Sequence, residues 1–294
     1  MKISIQKPFT GILAFLLILF TMPLGHALMI ITEHVFGESW VFPAAFILGL
    51  IGLVMLIMGM KTKNETKATF WGLFAGLLIW TGWIEFSFVY FANHVGVQPL
   101  IENGEVVTKP EYLILPSSIG FMTVMFIYFL FNRHTQCHFF RWFQRNLKMK
   151  FIKRKPIEKD RLFALITAIE IITIMWTFYI VLLLIYDKEI LGDYHPVTYA
   201  FAFASLLWSL YLFINLLKIN KMAYAIRYGI PVVIIFWNVV EILGRWNFFN
   251  EIWVEPLKYK VEILSILAVF ILLGGILFYE NKYKVKENTA SSVE

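Results

Sequence analysis

Eight stretches of roughly 20 apolar residues follow one another along this chain, each long enough as a helix to cross the hydrocarbon core of a bilayer. They run Gly11–Ile31, Trp40–Met60, Thr69–Phe91, Tyr112–Phe131, Leu162–Tyr186, Val197–Leu217, Tyr228–Gly244 and Val261–Tyr279. Inside lipid every backbone amide needs an internal partner, so runs of this length are restricted to helices. The expectation is an all-α fold: a polytopic membrane helix bundle of about eight transmembrane helices, one domain over residues 1–280. The polar tail 281–294 is expected to be disordered. Only 16% of the chain is charged, against about 25% in soluble domains, so the apolar runs are not the core of a water-soluble protein.

Charge gives the expected orientation. The chain carries a net +6, and 21 of its 26 Lys and Arg fall on alternate connections: before the first span, at 61–67, 133–161 and 218–227, and in the tail. The opposite side holds only Lys109, Lys188, Arg245, Lys258 and Lys260. Basic residues stay on the cytoplasmic side of short loops, which places both termini in the cytoplasm and the chain in a plasma or inner membrane. The longest connection, 133–161, holds RWFQRNLKMKFIKRK and suits either simple orientation bias or an amphipathic segment lying on anionic membrane lipids. Nucleic acid is not an expected partner, because the cations sit in loops rather than forming one face. A single cysteine, Cys137, excludes an intrachain disulfide.

Against that apolar background the buried polar residues stand out. The third span, TFWGLFAGLLIWTGWIEFSFVYF, carries Glu85 16 residues from its cytoplasmic start. Glu241 lies 13 residues into the seventh span, and His26 lies 17 residues after Phe9 in the first. At about 1.5 Å per residue all three reach the outer half of the bilayer. An ionised acid there costs several kcal/mol, so its retention marks a functional hypothesis. Glu33 and His34 follow His26 at the outer mouth, and Met22, His26, Met29 and Glu33 share one helix face. Thr81 and Glu85 share another face, with Gly72, Gly76 and Trp83 opposite as a close-packing surface. Asn238, Glu241 and Arg245 form a third stripe, in which Glu241 and Arg245 have ion-pair spacing. Glu170 is a lone acid in the cytoplasmic half of the fifth span, and Pro116 with Ser117 and Ser118 marks a kink in the fourth. His134, Cys137 and His138 form one short cytoplasmic cluster without the second ligand group that a metal site needs.

These patterns leave three functions open. One is a metal- or cofactor-dependent membrane enzyme acting on an apolar or lipid substrate, with Glu85 and Glu241 catalytic and His26, Glu33, His34 and Glu85 holding a transition metal ion. The second is a proton- or cation-coupled transporter or channel, in which Asn238, Arg245 and Glu170 contribute to substrate or ion binding. The third is a non-catalytic membrane subunit whose polar groups fix helix packing. The chain lacks the G-x-G-x-x-G, P-loop, H-E-x-x-H and G-x-S-x-G motifs, which leaves nucleotide-dependent, zincin and serine-hydrolase chemistry without their signatures.

Overall fold

The computed structural model describes residues 6–102, 105–132, 135, 137–149 and 161–290. Its elements are α1 (Phe9–Met60), α2 (Glu65–Ile79), a π-helical turn (Trp80–Glu85), α3 (Phe86–Val95), strands β1 (Leu100–Glu102) and β2 (Glu105–Thr108), α4 (Pro110–Ile114), a 3₁₀ turn (Leu115–Ser118), α5 (Ile119–Phe131), α6 (His138–Asn146), α7 (Phe163–Tyr186), α8 (Pro196–Leu216), α9 (Met222–Arg245) and α10 (Lys260–Ala290). Among the described residues, six stretches are long and apolar enough to cross a membrane: Phe9–Met60, Glu65–Val95, Pro110–Phe131, Phe163–Tyr186, Pro196–Leu216 and Met222–Arg245. Among the described residues, the one departure from an all-helical chain is the antiparallel β1–β2 pair, in a connection between helices.

The long α1 changes direction once. Gly37 sits at φ 58° and ψ −177°, a conformation open only to glycine, and it divides the stretch into an entering and a returning half. Connections gather at the two ends of the bundle. At one end Lys7 donates its backbone N–H to Asn220, and Glu65 pairs with both Lys221 and Arg227. At the other, Glu33 lies 3.5 Å from Lys109, and Arg245 pairs with Asp193 at 2.9 Å.

Apolar burial alone discriminates poorly between helix partners in lipid, so close approach and buried polar contacts carry more of the specificity. Gly72 and Gly76 lie against the backbone of α7 at Ala164 and Ala168, where any side chain would collide. The small-residue face read from sequence is therefore the α2–α7 contact. Trp83 does not share it. The π turn inserts an extra residue into the helix, which rotates Gly82 onto the backbone of Ala45 and Gly49 and sends the Trp83 indole N–H to the Phe46 carbonyl at 3.1 Å. The kink expected at Pro116 is the 3₁₀ turn, braced by the Trp176 indole N–H donating to the Ser118 hydroxyl at 2.9 Å.

Helix α6 lies in the basic connection. Its Phe139 and Phe140 are buried, and its aromatic face packs against Phe126, Phe129 and Trp208 of the bundle. Arg141 and Arg145 remain exposed. Residues 150–160 and His134 lie outside the described residues.

Candidate functional site

Near the end of the bundle that holds Glu33 and Lys109, α1, the π turn, α7 and α9 enclose a cavity of about 60 Å³. That is room for more than one water molecule, each of which needs about 10–15 Å³. Its polar lining comes from Thr21, His26, Thr81, Glu85, Tyr179 and Asn238, and its apolar walls include Trp80, Phe178 and Trp237. Three helices thus deliver an imidazole, a carboxylate and an amide to one cavity.

His26 follows Pro23 and Gly25 on the entering half of α1, and its Nε2 stands 3.7 Å from Oε1 of Glu241. The same carboxylate oxygen accepts a hydrogen bond from the Trp237 indole N–H at 2.6 Å, one helical turn back on α9. The indole fixes the carboxylate rotamer and so aims it at His26. Tyr179 lies beside His26 with ring centroids 6.2 Å apart. Glu85, placed by the last residue of the π turn, is 4% exposed and faces the cavity. None of the hydrogen bonds or ion pairs among the described residues engages it. Asn238 is 1% exposed, and its side-chain N–H group has no partner among the described residues.

Toward the chain connections lies a second acidic group. Lys109, just before α4, lies 3.5 Å from Glu33 and 3.9 Å from the buried Glu111. Its charge is also felt at His26 and Glu85. Neither Lys109 nor Glu111 was distinguishable from an ordinary loop residue in the sequence, because their partnership depends on a contact across some 76 positions. Trp80 and Tyr179 were equally hidden: aromatic residues are abundant in every span, and only the packing selects these two.

One expected pairing is corrected, and Glu170 finds its place elsewhere. Arg245 does not pair with Glu241. Its guanidinium donates to Asp193 at 2.9 Å and stacks over the Tyr186 ring at 4.2 Å, because the connection before α8 brings that carboxylate within reach. Glu241 is left to Trp237 and His26. Glu170 does not reach the cavity. Fully buried on α7, it accepts from the His138 backbone N–H at 2.8 Å and from the Cys137 thiol at 3.4 Å, and so anchors the first turn of α6. Burial and the Glu170 carboxylate push the Cys137 thiol well above its ordinary range, which leaves it a poor nucleophile or metal ligand.

The metal ligand set His26, Glu33, His34 and Glu85 is not assembled. Glu33 is held by Lys109, and His34 is exposed. No group of three or more His, Cys, Asp or Glu side chains converges at metal-binding distance among the described residues. Comparison with protein-family models, with curated proteins and with solved structures finds no match for this chain.

Proposed function

We propose that this chain is a proton- or cation-coupled membrane transporter, and that the cavity between α1, the π turn, α7 and α9 is its coupling site. The observation that carries this reading is the His26–Glu241 pair at 3.7 Å, with His26 sharing a cavity with Glu85, which has no bonded partner among the described residues. Two carboxylates and an imidazole in hydrocarbon surroundings are costly unless a proton or cation neutralises them. A site that must take up positive charge, and can share it between His26 Nε2 and Glu241 Oε1, has the chemistry that coupling requires. Lys109, between Glu33 and Glu111, supplies a polar cover through which charge can reach it. The π turn at Glu85 and the Pro23–Gly25 segment beside His26 are weak points in two helix ladders, where local rearrangement is least costly.

In this reading the chain crosses the bilayer eight times with both termini cytoplasmic. Phe9–Met60 supplies two crossings divided at Gly37, and Lys260–Ala290 supplies the last. The membrane is the plasma or inner membrane, and the basic segment around α6 faces anionic lipid headgroups through Arg141 and Arg145.

The test is proton movement in proteoliposomes with an entrapped pH-sensitive dye, driven by a potassium diffusion potential. Wild-type protein should carry protons; Glu85→Gln and Glu241→Gln should not, while inserting and eluting as the wild type does. Undiminished flux in Glu85→Gln removes the coupling role.

A further inference from the structure

The walls of the cavity narrow the class of ligand it can take, on the reading that it is a transport site. We propose that the cavity binds a small organic ammonium ion that also carries a hydrogen-bond-accepting oxygen, as in a short-chain amino alcohol. The positive group is called for by Glu85, which is buried in the cavity wall with no bonded partner. Among the described residues no cation pairs with it: Arg245 is bound to Asp193, and Lys109, whose charge reaches Glu85, makes its contacts with Glu33 and Glu111.

The remaining lining separates an organic cation from an inorganic one. A hard metal ion exchanges its hydration shell for about six oxygen ligands, and among the described residues no three His, Cys, Asp or Glu side chains converge to begin such a set. Trp80, Phe178, Tyr179 and Trp237 instead present aromatic surface to the space. Aromatic faces attract a cation through the ring quadrupole, and they suit an alkylammonium, whose weaker hydration makes the exchange of water for rings favourable. Asn238 supplies the second element. Its N–H group is buried, unpartnered and part of the same lining, and it calls for an acceptor that an alkylammonium alone lacks. A carboxylate and a free amide donor in one cavity thus specify both ends of one short molecule, and the size of the space limits that molecule to a few heavy atoms.

The experiment is equilibrium binding of radiolabelled ethanolamine to the full-length protein in mild detergent, at a pH where the amine is charged. Unlabelled ethylammonium, propanol and potassium chloride serve as competitors. Saturable binding is expected, weakened about a hundredfold or more in Glu85→Gln and about tenfold in Trp80→Leu. Ethylammonium should compete about tenfold less well than ethanolamine, and that difference should vanish in Asn238→Ala. Propanol and potassium should not compete. Glu85→Asp, which keeps the charge, controls for loss of fold and should retain binding. Absence of saturable binding, or binding equal in Glu85→Gln, overturns the inference. If that absence accompanies Glu85-dependent proton flux in liposomes, the coupled-transport reading survives and only the ligand class falls. Binding with no proton flux in any condition does the reverse.

Discussion

Replacing Arg227 by Met tests whether the bundle is held by specific buried polar contacts rather than by apolar packing alone. Arg227 is 5% exposed, sits over the Phe163 ring at 4.8 Å, and donates to Glu65 at 2.6 Å and to the Thr69 hydroxyl at 2.7 Å. It ties α9 to α2 and to the start of α7. Methionine preserves most of the apolar stem over Phe163 and deletes the charge. Breaking a fully buried pair by removing one partner costs about 3–5 kcal/mol. Here the carboxylate left behind is one-fifth exposed and keeps Lys221, so a loss of about 2–3 kcal/mol is expected. In a thermal melt in detergent, followed by tryptophan fluorescence, this corresponds to a fall in Tm of about 4–12 °C. Lys221→Ala, which removes only the exposed partner, should cost about 0–1 kcal/mol. The losses of Glu65→Gln and Arg227→Met should not add in the double variant, because both members of one contact are then removed together. Equal melting of Arg227→Met and Lys221→Ala would refute the reasoning, because it would mean that burial does not strengthen this pair.

Gly76→Leu places a side chain where the Ala168 backbone and the Ile171 side chain already stand, and should abolish recovery of monodisperse protein on size-exclusion chromatography, whereas Gly120→Ala, which meets nothing within 4 Å, should be recovered normally. Trp237→Phe removes the 2.6 Å indole hydrogen bond that aims Glu241 at His26, a charge-assisted contact worth about 1.5–3 kcal/mol, and should displace the pH midpoint of proton flux while leaving insertion unchanged. His138 sits outside the spans with its ring against Tyr224 at 4.7 Å, and burial, then the charges of Arg227 and Arg141, hold its pKa down to about 3. The folded protein therefore keeps His138 neutral where the unfolded chain, with the ordinary value of 6.5, takes a proton; its contribution to stability is full above 6.5 and drains away as the pH falls toward 3. Melts taken across that range should show this decline, and His138→Gln should flatten it.

The helical architecture was legible because the bilayer forces it: runs such as Phe163–Tyr186 and Pro196–Leu216 match the apolar stretches read from sequence to within a residue or two. The closeness of His26 to Glu241, and of His26 to Glu85 on one cavity, was legible for a related reason: counting along each span from its cytoplasmic start puts the three residues at similar depths. Direction around each helix is another matter. The π turn at Trp80–Glu85 breaks the 100° periodicity that placed Trp83 beside Gly72 and Gly76, and no local signal in TGWIEF distinguishes it from an α turn. Partner choice failed for the same reason at Arg245, and the partner of Glu170 could not be named at all. Helical spacing names the neighbours available on one helix, whereas Asp193 and the His138 amide arrive from other segments and make shorter contacts.

The most direct measurement is a pH-titrated infrared difference spectrum of the purified protein in lipid, recorded in the carboxylic-acid carbonyl region for wild type, Glu85→Gln and Glu241→Gln. A band is expected to appear as the pH falls and to be lost or displaced in each Gln variant, because Glu85 lines the cavity and Glu241 lies 3.7 Å from His26 on its wall. Identical spectra in all three proteins would show that neither acid takes up a proton, and would contradict the assignment of this cavity as a coupling site.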